Sequence, residues 1–167
     1  ELIEKINTIN YVSDALIEQV HKIAHHSYHK SGGETIPYLT PYELECLCIR
    51  KGTLTEKERH LMESHVVMTR KILEKVRFNP SYSKVAKYAS THHELLDGSG
   101  YPEHLKGEDL ELETRILAAL DIYDALTSKD RPYKKPVSKE EAFEILADMV
   151  KDGKLDARIV GYMKNAL

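Results

Sequence analysis

Three histidines and one aspartate of this chain have side chains that can bind a metal ion. His92 and His93 are adjacent and begin the segment HHELLDGSGYP (92–102), His65 precedes them, and Asp121 follows. Mixed imidazole and carboxylate donors suit iron, manganese, zinc or nickel rather than calcium or magnesium. Taken together, the four residues predict a transition-metal site beside a glycine-rich turn.

Asp121 lies in an unusually apolar segment, LETRILAALDIYDALTS (112–128). This pattern leaves almost no polar face and predicts a helix that is buried nearly all round. A buried carboxylate without a partner is costly, so we expect Asp121 to be protonated, paired or bound to a cation. A structural ion pair with an arginine or lysine is the alternative, since perturbed carboxylates also occur away from functional sites.

The histidines are predicted to lie on two other helices. Adjacent helical side chains diverge by about 100°, so we expect His92 and His93 to serve two neighbouring ions, or one ion and a substrate, rather than to chelate a single ion. His65 lies within LMESHVVMTRKIL (61–73), where a lone histidine would usually be a satisfied core residue. The predicted core side of that helix is marked by Leu61, Met62, Val66, Met68 and Leu73.

The elements that position these side chains are predicted to be helices throughout. Ser/Thr-x-x-Glu capping boxes begin three of them, at TPYE (40–43), TEKE (55–58) and SKEE (138–141). Glycine-containing turns separate the helical segments, and no stretch alternates convincingly with period two. The fold class is therefore predicted to be all-α, with helices near 13–29, 40–50, 55–76, 81–95, 112–128, 138–151 and 156–166.

Composition excludes several classes of protein. A chain of 167 residues with 41% hydrophobic content fits one globular domain. A net charge of −3 indicates neither a nucleic-acid nor a membrane-surface partner. Without a signal peptide or an apolar run of about 18 residues, a cytoplasmic location is predicted. Cys46 and Cys48 are predicted to be reduced, buried thiols.

Three segments resemble one protein family. HHELLDGSGYP matches the HHExxDGxGYP signature of the HD-GYP domains, a bacterial branch of the HD metal-dependent phosphohydrolases. KGTLTEKERHLMESHVVMTRKIL (51–73) and TRILAALDIYDALTSKDRPYKK (114–135) resemble the two helices that flank it in that family. The resemblance implies an HD-domain-like helical bundle of about five core helices plus an extra N-terminal helix. The segment SGGETIPYLT (31–40) breaks the helical pattern and follows a more polar N-terminal block, which predicts an N-terminal helical segment and connector (1–39) and an HD-GYP-like domain (40–167).

The resemblance also implies residue roles. It implies a site that holds two or three ions of iron or manganese. The metal ligands of this site are implied to be His65, His92, His93 and Asp121. The last three are also implied to be catalytic. The resemblance places substrate contacts on Tyr101, Arg131 and Lys134. The positive charges of Arg131 and Lys134 are suited to binding phosphate groups. The loop that orients the ligands and fixes the turn is implied to consist of Glu94, Asp97, Gly98, Gly100 and Pro102.

The implied reaction is hydrolysis of cyclic di-GMP, or of a related cyclic dinucleotide such as cyclic GMP-AMP, to the linear dinucleotide in signal transduction. The ions would activate water and absorb charge on the phosphoryl oxygens. Two alternatives remain. One is a non-catalytic module that senses cyclic dinucleotides or pairs with a GGDEF-type cyclase domain through Tyr101 and Pro102. The other is an HD hydrolase that acts on a different phosphoester.

The chain departs from the family at the residues that give it its name. It contains no His-Asp dipeptide, and ETIPYLTPYELECLC (34–48), where the dyad is expected, offers no suitable His or Asp. The sequence opens without Met, and CIRKGTLTEKER (48–59) resembles relatives whose dyad lies far upstream. We therefore expect an upstream HD-containing or sensor segment in a longer protein, and weak activity or none in the isolated chain.

A second group of histidines allows a different metal site. His21, His25 and His29 recur at i, i+4 and i+8 beside His26, a spacing that permits surface zinc binding. No carboxylate or cysteine cluster supports this interpretation, and HKIAHHSYHK (21–30) is equally well a solvated or packed face. His60 and His104 are predicted to be surface residues.

Overall fold

The computed structural model describes residues 1–9, 11–129 and 135–167. The helices are α1 (Leu2–Ile6), α2 (Asp14–Ala24), α3 (Pro41–Leu47), α4 (Glu56–Leu73), α5 (Val85–Thr91), α6 (Leu112–Thr127), α7 (Lys139–Lys151) and α8 (Ala157–Ala166). Short 3-10 helices span Pro80–Tyr82 and Gly107–Asp109. The predicted all-α class is confirmed. Within the described ranges, no helix combines the length and the apolarity that crossing a membrane requires.

A small β-hairpin lies where the sequence predicts the end of a helix. Strands β1 (Ser27–His29) and β2 (Thr35–Pro37) pair antiparallel, with Tyr28 opposite Ile36. The Lys30 N–H donates to the Glu34 carbonyl and closes the turn between them. Strands of three residues are too short to show alternation, so the pattern does not reveal them. The helix predicted over 13–29 accordingly ends at Ala24.

The chain packs as two compact units, Glu1–Met62 and Glu63–Leu167. The first has a core of Ile6, Val12, Val20 and Leu47. The second, which carries the predicted site, has a core of Ala119, Phe143, Leu146, Leu155, Ile159, Val160 and Met163. The division into 1–39 and 40–167, which is drawn from the sequence pattern around residues 31–40, stays a prediction.

Two of the three predicted capping boxes form both of their hydrogen bonds, and the third is shown with one. Thr40 and Glu43 make a reciprocal capping box at the start of α3. Thr55 and Glu58 exchange the same two hydrogen bonds before α4. Ser138 accepts a backbone N–H from the first turn of α7. Because these bonds join residues three positions apart, the local sequence is sufficient to predict them.

Helix α6 is less buried than its sequence predicts. Its buried side consists of Thr114, Ala118 and Ala119. Leu117 and Leu120 are 38% and 40% exposed, and the side chain of Asp121 is 42% exposed. The prediction of a helix buried all round is therefore wrong. An apolar face indicates that a helix has a packing partner, and the described residues leave this face of α6 partly uncovered.

Helix α4 also differs from its predicted packing. Among its residues, all of which are described, Val66 alone is buried. Leu61, Met62 and Met68, which the repeat assigns to a core side, are 75%, 47% and 53% exposed. The α4 residues of the second unit thus bury little apolar surface around His65.

The two cysteines are free, as predicted. Both are only half-buried, so the predicted full burial is wrong. Burial raises the pKa of the Cys48 thiol above its usual value. A raised pKa favours the thiol over the reactive thiolate, which is consistent with a structural residue.

Candidate metal centre

His92 and His93 lie on a tight turn at the end of α5. The helix ends at Thr91, and the Glu94 N–H donates to the Thr91 carbonyl, three residues back. The two imidazole ring centres are 4.1 Å apart. The prediction that the pair diverges too far to serve one ion is therefore wrong, because it assumed that both residues lie within a regular α-helix.

His65 brings a third imidazole to the same place from α4. Its ring centre lies 5.0 Å from that of His93 and 5.9 Å from that of His92. The Nε2 atoms of His65 and His93 are 3.2 Å apart. The donor nitrogens of the three histidines all lie within 4.8 Å of one another. Three rings from two separate segments of the sequence thus face one common space.

Asp121, on α6, lies beside this group. Its Oδ2 lies 3.3 Å from His93 Nδ1. A proton on Nδ1, the nitrogen next to this carboxylate, leaves the Nε2 lone pair of His93 to bind a metal, and neighbouring carboxylates orient metal-binding histidines in this way. The ring of His92 is also oriented through its Nδ1, because the Nδ1–H donates to the Ala89 carbonyl at 2.9 Å. Both rings therefore turn Nε2 towards the common space.

The electrostatics keep His93 neutral. Burial lowers its pKa to about 4, with a further lowering from His92 and His65, against the opposing effect of Asp121. A neutral imidazole has the lone pair that metal binding requires. At pH 7 the ring needs no deprotonation before it binds an ion.

The donor set fits a transition-metal ion. Ligand atoms about 2.1 Å from one ion are at most about 4.2 Å apart, so three nitrogens within 4.8 Å need only small ring rotations to reach it. Three imidazoles and one carboxylate are the mixed donors that iron, manganese and zinc accept. The structure brings the three histidines together and places Asp121 against His93, and the role of all four residues as ligands stays a prediction.

The turn after the histidines is built from local hydrogen bonds. Asp97 Oδ1 accepts from the Ser99 N–H at 2.9 Å and from the Ser99 hydroxyl at 2.7 Å. These bonds, the hydroxyl first, hold the pKa of Asp97 below its usual value. Gly98 has φ +79°, a conformation that side chains other than hydrogen disfavour. Asp97 and Gly98 thus shape the turn that follows the histidine pair.

Tyr101 is brought beside the cluster by a close backbone approach at Gly100. A Cβ on Gly100 would lie 2.5 Å from the Glu94 Cα and from the His93 carbonyl oxygen. The Tyr101 N–H donates to that carbonyl, and its ring lies 4.8 Å from the His93 ring. Burial, then Glu63 and Asp121, raise the pKa of Tyr101 to about 12. The hydroxyl is therefore a hydrogen-bond donor at neutral pH.

Glu94 fixes the segment that follows Tyr101. Its side chain is among the largest that are fully buried, and the residue is 1% exposed. One carboxylate oxygen accepts from the Glu103 N–H at 2.6 Å, the other from the Leu105 N–H at 2.9 Å. Pro102, half-buried, lies between Tyr101 and these anchored residues. The residue after the histidine pair thus positions the loop rather than an ion.

An open groove of about 670 Å³ adjoins the cluster in the second unit. Its polar lining includes His92, Asp121 and Asp124, and its apolar lining includes Leu117 and Leu120. Asp124 is not among the site residues predicted from the sequence. It follows Asp121 by three positions, so helical spacing places both carboxylates on the same face of α6, and that signal was available.

The N-terminal histidines do not form a metal site. Helix α2 ends before His25, and His29 lies in β1, so the i, i+4, i+8 face does not exist. His29 Nδ1 lies 3.0 Å from the Thr35 hydroxyl. Within 1–9, 11–129 and 135–167, the metal-capable cluster found consists of His65, His92 and His93. The zinc alternative is therefore wrong. His60 and His104 are exposed, as predicted.

The two basic residues predicted to bind the substrate, Arg131 and Lys134, lie outside the described residues. The structure places neither of them. The chain that follows is described again from residue 135, and the Val137 N–H donates to the Leu126 carbonyl at the end of α6. Their role in binding substrate stays a prediction.

Comparison with known proteins identifies the family. A family model described as an HD domain matches residues 38–159. The chain is 37% identical over 110 residues to a 3'3'-cGAMP-specific phosphodiesterase 1 of Vibrio cholerae, covering 66% of this chain and 25% of that protein. It is 38% identical over 109 residues to a cyclic di-GMP phosphodiesterase of Thermotoga maritima, covering 65% and 28%. It is 38% identical over 102 residues to the cyclic di-GMP phosphodiesterase response regulator RpfG of Xanthomonas campestris, covering 61% and 26%.

The chain spans about a quarter of the length of these relatives. The region matched by the family model nevertheless contains all four converging ligand candidates and the turn that carries Tyr101. Because that region makes up most of the chain, the protein belongs to the HD domain family, and within it to the HD-GYP branch.

Proposed function

We propose that the protein is a metal-dependent phosphodiesterase that hydrolyses cyclic di-GMP, or a related cyclic dinucleotide, to the linear dinucleotide. The observation that carries this proposal is the convergence of three imidazoles beside Tyr101, with the Asp121 carboxylate against one of them, His93. The relatives named for cyclic di-GMP and 3'3'-cGAMP hydrolysis support this substrate class.

The ions would be held by His65, His92, His93 and Asp121. Iron or manganese fits this set because both metals accept nitrogen and oxygen donors together. Bound ions would activate water and stabilise negative charge on the phosphoryl oxygens. Within the chain itself, Asp121 lies against His93 Nδ1 and the Ala89 carbonyl accepts from His92 Nδ1–H, so that each ring would need only a small rotation to bind an ion.

Substrate binding would involve Tyr101 together with Arg131 and Lys134. The Tyr101 hydroxyl, protonated at neutral pH, would donate a hydrogen bond to a phosphate oxygen. The two cations would pair with the phosphate groups, the guanidinium through two parallel hydrogen bonds. Glu94, Asp97, Gly98, Gly100 and Pro102 would hold Tyr101 in place.

We propose that an upstream HD-containing segment of the same protein completes the site and extends the domain of residues 40–167. The groove beside His92 and Asp121 is open, and its apolar residues Leu117 and Leu120 are partly exposed. A helix that covered this face would bury apolar surface and would bring further ligands next to Asp121. The ligands absent from the chain's own sequence, including the His-Asp pair, would come from that segment.

The alternative is a non-catalytic module that senses cyclic dinucleotides or pairs with a GGDEF-type domain through Tyr101 and Pro102. The observation that favours it is the lack of a His-Asp dipeptide in this chain. A phosphohydrolase for another phosphoester is the remaining candidate. The two catalytic proposals share the metal centre and differ only in substrate.

Elemental analysis and a cyclic di-GMP hydrolysis assay test the proposal on two proteins, the 167-residue chain and the same chain with its native upstream region. We expect the short chain to be metal-poor and slow, because four protein donors leave coordination positions to water. The longer protein should load metal and produce linear dinucleotide, and Asp121→Asn in it should reduce both. A metal-loaded, inactive longer protein would favour the binding module.

A further inference from the structure

We infer that Arg70 is a positioning residue. Its ion pair with Glu103 ties the Tyr101 turn to α4, the helix that carries His65. This inference rests on the proposed function for its biological meaning, because it concerns the placement of Tyr101 and His65 relative to each other. The geometry on which it depends is independent of any substrate.

The ion pair joins two elements of the site. The Arg70 guanidinium Nη1 pairs with Glu103 Oε1, while its Nε donates to Glu74 Oε1 at 2.9 Å, one turn further along α4. Glu103 follows Tyr101 by two residues, and its backbone N–H donates to the buried Glu94. Glu103 is thus held on both sides, by its main chain to the histidine turn and by its side chain to α4.

The packing of α4 makes this link important. Val66 is the one buried residue of the helix, and His65 itself is exposed. Because Val66 is the one buried side chain of α4, the polar link near the C-terminal end of the helix contributes to the position of α4 and therefore of His65. Arg70 is five positions from His65, a rise of about 7.5 Å along the axis.

The size of the expected effect follows from exposure. The side chains of Arg70 and Glu103 are 47% and 43% exposed, so solvent screens their attraction. Such pairs change equilibria by about two- to fivefold and do not control folding. We therefore expect a small change in metal affinity and in the environment of Tyr101, without loss of the folded state.

The test uses Arg70→Gln and Glu103→Gln, with Glu74→Gln as the matched control, because Glu74 binds the same guanidinium without touching the turn. The charge-swapped double variant, Arg70→Glu with Glu103→Arg, tests rescue. The first readout is the NMR signal of the Tyr101 and His65 rings, each assigned by its own substitution. We expect both rings to shift in the first two variants, to remain in place in the control, and to return in the double variant.

Metal affinity gives the second readout. Co²⁺ titration of the protein with its upstream region should show about two- to fivefold weaker binding for Arg70→Gln and Glu103→Gln, and less difference at high salt. Unchanged rings, or equal shifts in the Glu74→Gln control, would overturn the inference. If the rings shift as expected but the unsubstituted protein hydrolyses no cyclic dinucleotide, the proposed function fails while the positioning role stands.

Discussion

Replacing Glu94 with glutamine tests how the Tyr101 loop is held. Both Glu94 oxygens accept a backbone N–H, one from Glu103 and one from Leu105, in a site that is 1% exposed. Glutamine has nearly the same shape but only one acceptor oxygen, so its amide NH₂ must face one of the two N–H donors. One buried donor then loses its partner, and two donors face each other.

The cost follows from these two bonds. A buried donor without a partner costs about 1–3 kcal/mol, and hydrogen bonds to a charged acceptor are about twice as strong as neutral ones. Glutamine is neutral, so the substitution also removes the cost of burying a charged carboxylate, which offsets part of this loss. We therefore expect Glu94→Gln to lower the free energy of unfolding by about 1–3 kcal/mol, or by less where the loop opens locally. Glu94→Ala removes both acceptors and should cost more.

Urea unfolding and amide hydrogen exchange measure the two parts of this prediction. The amides of Glu103 and Leu105 should exchange faster in Glu94→Gln, and the Tyr101 ring should become more mobile. Glu108→Gln is the matched control, since Glu108 lies in the same connection between α5 and α6 but is exposed. Unchanged exchange at Glu103 and Leu105, with unfolding identical to the control, would refute the assignment of Glu94 as the anchor of this loop.

Three further predictions concern the same unit. Gly100→Val should displace Tyr101, since the new Cβ clashes with the His93 carbonyl. Circular dichroism should show that the helices are retained. If the variant is instead already unfolded at low temperature, the turn is a structural element. The pKa of His93 is lowered to about 4, so the unfolded state binds the extra proton between about 4 and 6.5. Stability should therefore rise with pH over that window, less steeply in His93→Gln, and equal slopes would argue against burial of this ring. Two lysines and a tyrosine lower the pKa of Glu111 to about 2. Its contribution should be present above pH 4.5 and lost as pH falls towards 2, and Glu111→Gln should lose this dependence in an acid titration followed by circular dichroism.

The sequence alone determined the features that depend on neighbouring residues. The helical class, the capping boxes at Thr40 and Thr55, and the glycine turn at Gly98 each depend on residues within four positions of one another. The four ligand candidates also came from sequence, through residue type and through the resemblance of three segments to one family. The hairpin at 27–37 escaped prediction because three-residue strands carry too little periodicity.

Only the tertiary structure decided how these residues meet. It placed His92 and His93 on a turn where both rings face His65, left Asp121 partly exposed beside an open groove, and gave Glu94 its two backbone donors. Hydrophobic periodicity predicts that a face has a packing partner, but it specifies neither which segment covers that face nor whether the chain itself supplies it. Distances between side chains on different helices are set by packing between segments far apart in sequence, and that packing follows from the whole fold rather than from any local pattern.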